Sequence, residues 1–325
     1  MKKIIAVLLS VFMAASALTG CGAANPTEKT DGQIKVVATI FPIYDWVKEV
    51  AGDDIDVNLD ILLDNGVDLH SFQPTAKDIM DISDCDIFIY VGGESDKWVD
   101  ETLVQADNKD MTVLDLMDIL GDAAKEEELV EGMQGEEEEE EGEDEGPEYD
   151  EHVWLSLKNT KLFVEKIADA LAQADGQHAD VFHANAETYS EKLSDLDAQY
   201  QTAVDNAAVK TLLFGDRFPF RYMTDDYGLT YYAAFVGCSA ETEASFETIL
   251  FLADKVDELG LKTIMQIEGS DGSIAKTIKD NTASKDQQIL TLDSLQNVTR
   301  DRIDAGETYL SIMQSNLDVL KQALS

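Results

Sequence analysis

Apolar stretches of strand length alternate with amphipathic stretches of helical period, and they do so in two successive series. The strand candidates are residues 35–39, 55–63 and 87–91 in the first series and 209–215, 230–234, 262–267 and 288–292 in the second. Between them lie helical patterns at 43–51, 75–83, 159–174, 246–259 and 273–280. A strand that returns to its own sheet through a helix does so in parallel by a right-handed crossover, so the pattern predicts parallel sheets with helices on both faces. Because the alternation occurs twice, an α/β fold of two lobes is expected, each a mostly parallel sheet flanked by helices. About 300 residues after the amino-terminal segment also exceed what one core usually supports. Residues 178–207 separate the series and contain neither proline nor glycine, with Tyr189, Leu193, Leu196, Tyr200 and Val204 at spacings of three and four. They are expected to form one uninterrupted connecting helix between lobes at 33–177 and 208–325, and a rigid connector limits hinge motion.

The amino terminus addresses the chain. Lys2 and Lys3 precede an apolar run over 4–18 that ends in Leu18-Thr19-Gly20-Cys21. The run is too short and wrongly flanked for a spanning helix. Its ending resembles the bacterial lipoprotein cleavage box, in which the cysteine becomes the first residue and carries the lipid. Residues 1–20 are therefore expected to be a lipoprotein signal peptide and Cys21 the lipidation site; the competing reading is an ordinary secretory signal with a chance cysteine. Residues 21–32, polar and containing Pro26 and Gly32, read as a tether holding the chain to the outer face of the cytoplasmic membrane.

The formal net charge of −42 repels nucleic acid and anionic headgroups and concentrates cations. Nucleic-acid binding is excluded on that ground. Residues 126–150 carry much of the charge, with an unbroken glutamate run at 136–141 and no basic residue. Such a segment cannot bury apolar surface and is expected to be a disordered insertion, serving either as a solvated loop or as a weak cation trap beside His152. Apart from Cys21, only Cys85 and Cys238 remain, with no CxxC pairing, so a zinc ribbon or redox dithiol is excluded. An extracellular setting permits a disulfide between them. Their positions beside strand candidates favour two separate buried thiols instead.

Four histidines are present, and two sit in similar wrappings, Asp68-Leu69-His70 and Asp150-Glu151-His152-Val153-Trp154. Each lies where a loop hands over to a helix, marked by a capping-box pattern from Thr75 to Asp78 and a capping Ser156. This pattern points to metal ligands. His178 and His183 are five apart, which turns them about 140° from one another on a helix, so they read as surface residues. In parallel sheets ligands gather outside the carboxyl ends of strands, and His70, Asp216, Glu268 and Asp293 all follow predicted strands. Trp98 and Trp154 suit either a cleft wall or the core, with packing favoured. Imidazole donors favour Zn²⁺ over Ca²⁺ or Mg²⁺, while an added carboxylate suits Zn²⁺ and Mn²⁺ alike; zinc is placed first. Two histidines and a carboxylate also describe a catalytic zinc site, but no HExxH is present and no nucleophile is paired with a base. A metallohydrolase and a metal-stabilised surface adhesin stand as the alternatives from other classes.

The chain resembles the substrate-binding lipoproteins of bacterial zinc and manganese ABC importers. The resemblance is carried by Asp68-Leu69-His70-Ser71-Phe72-Gln73-Pro74-Thr75, by Glu151-His152-Val153-Trp154-Leu155 with Lys158-Asn159, by Tyr227-Gly228-Leu229 and Leu292-Asp293, and by residues 308–317. It implies two lobes joined by one long helix, a metal in the cleft between them, and a monomer that captures the ion and delivers it to a permease and its ATPase. It implies no enzymatic activity. An acidic or histidine-rich loop ahead of the second histidine is common among zinc members. His70 and His152 match the two amino-lobe ligands and Asp293 the carboxy-lobe aspartate. At the third position, ten residues before Tyr227, zinc members carry histidine and manganese members glutamate; here it is Arg217. A guanidinium has no lone pair to give. The expected site is therefore His70, His152 and Asp293, completed by Glu268 or a water. Arg217, next to Asp216, is expected to pair with Glu268 or Asp293 and orient a carboxylate, or to lock the cleft electrostatically.

Overall fold

The structure, a computed structural model, describes residues 33–135, 148–239 and 243–325. The signal, tether and Cys21 lie outside these residues. Strand β1 (Ile34–Ala38) enters the first sheet with four of its five residues buried, and helix α1 (Phe41–Ala51) follows with Pro42 in its first turn, where the missing N–H costs nothing. Then come β2 (Val57–Ile61), α2 (Ala76–Asp84), β3 (Ile87–Tyr90), α3 (Trp98–Gln105), β4 (Thr112–Asp115), α4 (Leu116–Leu120), α5 (Leu157–Ala174) and α6 (Ala179–Asp205). The second series is β5 (Thr211–Phe218), α7 (Arg221–Tyr227), β6 (Thr230–Val236), α8 (Phe246–Leu259), β7 (Thr263–Ile267), α9 (Ser273–Asn281), β8 (Gln288–Leu292), α10 (Arg300–Asp304) and α11 (Tyr309–Ala323). The first sheet has the order β2-β1-β3-β4 and the second β6-β5-β7-β8, with every pairing parallel. The expected α/β architecture is thus present, one four-stranded sheet in each half.

Local signals account for the caps: Thr75 and Asp78 close a capping box on α2, and Ser156 accepts from Asn159 N at 3.0 Å at the start of α5. Strand β4 was not legible as a strand, because its four residues form a half-exposed edge without a run of buried apolar side chains. Strand β5 runs past the expected end at 215 and shifts register between Phe214 and Arg217. Gly215 lies in that irregularity, and a Cβ there would stand 2.5 Å from the Ala275 Cα of α9, so only glycine permits this sheet–helix approach.

Helix α6 turns Phe182, Ala186, Tyr189, Leu193, Leu196, Tyr200 and Val204 inward and packs on α1, α5 and α11. Tyr200 Oη donates to the Met313 carbonyl at 2.6 Å, tying the long helix to the carboxy-terminal one. The main apolar cluster draws on both sheets, from Val36 and Ile89 to Phe214 and Met265, and residues Ile34–Ser325 form one contact unit. Among the described residues no helix is long and apolar enough to cross a membrane.

Asp45 of α1 is buried in this core and accepts from Tyr309 N at 2.9 Å. Burial pushes its carboxyl from the ordinary 3.8 up to about 7, with the Tyr309 N–H opposing and Glu49 adding. Between those values the folded chain holds a proton that the unfolded chain has released, so this group's share of stability falls as pH rises through that window and is fully lost above about 7. Asp45→Asn keeps the acceptor for Tyr309 N and removes the charge. It is expected to raise stability at pH 8 by on the order of 2 kcal/mol and to leave it little changed at pH 4; urea titrations at the two pH values check this.

Two expectations are corrected. The acidic segment is ordered at both ends: Glu127 N donates to Glu148 O at 2.9 Å, Asp150 N to Lys125 O at 2.8 Å and Gln134 N to Ala234 O at 2.9 Å, and Met133 is buried. Backbone pairing to β6 and one apolar anchor overcome the charge of the flanks, and the glutamate run at 136–141 lies outside the described residues. The thiols are both free, but only Cys85, against Met111 Sδ at 3.5 Å, is fully buried; Cys238 is half-buried at the carboxyl end of β6.

Candidate metal centre

The same local device presents both histidines. Asp68 Oδ1 accepts from His70 N at 3.0 Å and Asp150 Oδ1 from His152 N at 2.9 Å, each aspartate folding the chain back over two residues and setting His70 in the middle of the 3₁₀ turn Leu69–Ser71 and His152 at the start of the turn Val153–Leu155. Asp150 is itself held from the other half, since Tyr222 Oη of α7 donates to its carbonyl at 2.9 Å.

The rings are oriented from behind. His152 Nδ1 stands 3.0 Å from Asp150 Oδ1, and a carboxylate there places the proton on Nδ1 and the lone pair on Nε2. His70 Nδ1 lies 2.7 Å from Ser95 Oγ and 3.6 Å from Glu151 Oε2. The two Nε2 atoms consequently face each other at 3.2 Å. Two zinc–nitrogen bonds of about 2.0–2.1 Å at a tetrahedral angle span about 3.3 Å, so the pair has the separation of one edge of a zinc tetrahedron. His152 is fully buried. Burial pushes the His70 imidazole down to about 3, with His152 and Arg217 adding and Asp68 opposing, so His70 is neutral at pH 7 and able to coordinate.

A third donor joins them. Among the described residues, His70, His152 and Cys238 form the one group of three or more histidine, cysteine or carboxylate side chains whose donor atoms lie within 4.8 Å of one another. Cys238 N donates to Glu127 Oε1 at 3.2 Å, and burial together with Asp150, Glu127 and Glu151 raises the thiol well above its ordinary value. Gln296 lies alongside, its amide nitrogen donating to the Asp68 oxygens at 3.1 and 3.0 Å and its carbonyl oxygen on the His152 side.

The two carboxylates expected as ligands, Asp293 and Glu268, lie outside this group of three. Asp293 accepts from Arg302 Nη2 at 2.7 Å and from Leu295 N at 2.8 Å. Glu268 accepts from Ser294 N and Oγ, both at 2.6 Å, and burial together with the neighbouring Asp293 charge pushes it up to about 7. Both carboxylates serve to shape the loop after β8. Arg217 is likewise engaged elsewhere than expected. Its Nη2 donates to Asp68 Oδ2 at 2.5 Å and its Nη1 to Ser239 O at 3.4 Å, so it joins the loop after β2 to the end of β6. Burial raises the Asp68 carboxyl, but the guanidinium outweighs it and holds the group below its usual range. Arg217 thus pairs with Asp68 rather than with Glu268 or Asp293. Asp216 Oδ2 accepts from Ile267 N at 3.3 Å and links β5 to β7.

His178 and His183 are exposed, as their spacing implied. Both tryptophans pack: Trp154 is fully buried, and Trp98 meets the Phe72 ring at 5.8 Å. Cys238 and Gln296 were missed. The signal for Cys238 was available, since Gly237-Cys238 lies three residues beyond the carboxyl end of the expected strand 230–234. Gln296, three residues beyond Asp293 in a loop, had no such signal.

Fold and site together define a two-lobed α/β protein with a candidate divalent-metal centre built from loops of both sheets. The sequence profile of the family described as zinc-uptake complex component A, periplasmic, matches residues 36–323. The chain belongs to this family. It is 32% identical over 329 residues to the zinc-binding lipoprotein AdcA of Streptococcus pneumoniae R6, covering 99% of this chain and 61% of that protein. To the zinc-binding protein AdcA of Streptococcus pyogenes serotype M18 it is 32% identical over 295 residues, 90% of this chain and 56% of that one. The chain thus spans somewhat more than half the length of these relatives. The high-affinity zinc uptake system protein ZnuA of Bacillus subtilis 168 is matched at 28% identity over 98% of this chain and 96% of its own. The crystal structure of the Zn(II)-bound ZnuA-like domain of Streptococcus pneumoniae AdcA superposes with a TM-score of 0.70 at 29% identity, covering 90% of this chain and 99% of the domain.

Proposed function

We propose that this chain captures Zn²⁺ outside the cytoplasm, with His70 and His152 as its nitrogen ligands, and delivers the ion to an ABC permease for import. The observation that carries the reading is the pair of Nε2 atoms facing each other at 3.2 Å with both Nδ1 atoms engaged behind them. A single ring N–H can bridge the two nitrogens in the metal-free chain, and a divalent ion that accepts both lone pairs fits at the same point. The relatives' names, zinc-binding lipoprotein and high-affinity zinc uptake protein, support zinc ahead of manganese as the cargo. Cys21 as a lipid anchor fits the same setting, holding the chain near its permease on the outer face of the membrane.

The mechanism is capture and release rather than chemistry. His70, neutral well below pH 7, offers its lone pair without first losing a proton. His70 and His152 come from the first half, while Cys238, Gln296 and Arg217 approach from the second, so a bound ion and the Arg217–Asp68 pair both tie the halves together. Loss of the ion leaves that ion pair as the remaining tie at the mouth, and a docked permease that favours the emptied form would draw the ion out.

Two measurements test the proposal. Elemental analysis of chain purified without chelator is expected to find one equivalent of zinc, and a strain lacking this gene is expected to need added zinc for growth. Growth of that strain unaffected at limiting zinc, with manganese bound in zinc's place, would overturn it.

A further inference from the structure

The position that should bear the third ligand carries an arginine, yet the structure supplies a donor from a neighbouring strand end. Resting on zinc capture at His70 and His152, we propose that the Cys238 thiolate is the third protein ligand, making a centre of two imidazoles and one thiolate with the Gln296 carbonyl oxygen beside it.

Several independent contacts bring that sulfur to the histidines. Cys238 lies at the carboxyl end of β6, and its donor atom is within 4.8 Å of both imidazole donors. Gly237 permits the approach: a Cβ there would stand 3.0 Å from His152 Cε1 and 3.0 Å from Phe218 O, so a side chain would drive the loop off the ring. Arg217 anchors the next residue through the Ser239 carbonyl at 3.4 Å while Asp68 holds its other arm. Arg217 therefore pins the loop that bears the sulfur. Glu127, accepting from Cys238 N, fixes the loop from its other side.

On binding, the metal–sulfur bond forms as the S–H bond breaks and the proton leaves to solvent. One thiolate and two neutral imidazoles would leave a zinc ion with one net positive charge, offset from behind the rings by Asp150, 3.0 Å from His152 Nδ1, and Glu151, 3.6 Å from His70 Nδ1. A thiolate is a soft donor that suits Zn²⁺ and disfavours Mn²⁺. The site is thereby restricted to zinc-like ions more strongly than one completed by a carboxylate.

Cobalt(II) titration of the full-length chain reads the sulfur directly, because a thiolate–cobalt bond gives an intense near-ultraviolet charge-transfer band that nitrogen and oxygen donors do not. The band is expected in the wild type and in Cys85→Ser and is expected to vanish in Cys238→Ser, whose zinc affinity should fall at least about tenfold. Stoichiometric cobalt binding by the wild type without the band would overturn the thiolate and leave zinc capture standing. No binding of cobalt or zinc at all would overturn both. Should Cys238→Ser fail to fold, alkylation of the wild type decides: zinc is expected to shield Cys238 from iodoacetamide, and equal labelling with and without zinc would refute its ligation.

Discussion

Zinc affinity is expected to fall by at least about a hundredfold in His70→Ala and in His152→Ala, measured by calorimetry against a competing chelator. Each substitution removes one of the two nitrogens whose 3.2 Å separation defines the site, and no neighbouring side chain can restore it. The two variants should differ in one respect. His70 is partly accessible, so its loss leaves the metal-free fold nearly intact. His152 is fully buried with its Nδ1 on Asp150, and alanine there strands a buried carboxylate. His152→Ala should therefore also lower the metal-free melting temperature. Zinc stabilises whatever binds it by mass action, so the zinc-induced rise in melting temperature should disappear in both. Wild-type affinity in either variant would remove the basis for the site.

Trp154→Ala is expected to cost about 3–5 kcal/mol in denaturant unfolding, the range for truncating a large buried aromatic. Trp154 is fully buried, donates from Nε1 to the Ser294 carbonyl at 2.8 Å, and accepts at its own carbonyl from Tyr309 Oη at 2.7 Å. It thus fastens the loop after β8 and helix α11 to the turn that carries His152, whose ring lies 5.2 Å from its own. Trp154→Phe keeps most of the packing but leaves Ser294 O without its donor, and should cost about 1–3 kcal/mol. A loss below about 1 kcal/mol in Trp154→Ala would mean that this junction does not hold the halves together.

The parts of the fold that could be read along the chain are those set by local periodicity. A buried parallel strand such as 87–91 is a continuous apolar run, and α6 advertises its inner face through seven regularly spaced side chains. Where burial is one-sided or supplied by distant partners, the local signal fails. Strand β4 is a half-exposed edge, and one flank of the acidic segment is held by pairing with β6 a hundred residues on, Gln134 N to Ala234 O.

The candidate site divides along the same line. The Asp-x-His pattern before a helix marked His70 and His152, because the aspartate's reach to a backbone N–H two residues on is a property of the tripeptide and needs no tertiary partner. Chain order also named strand ends where ligands collect. It could not say which ends converge, since that depends on how two separately wound sheets are set against each other. That packing turned Asp293 to Arg302 and Glu268 to Ser294, and brought Cys238 and Gln296 to the histidines. Residue type and spacing thus dictated two parallel sheets, the long helix and the imidazole pair. Which side chains approach the imidazoles and which carboxylate pairs with Arg217 were decided only when loops from both halves met, because a distance of a few ångströms between residues 68 and 217 is written nowhere in their local sequence.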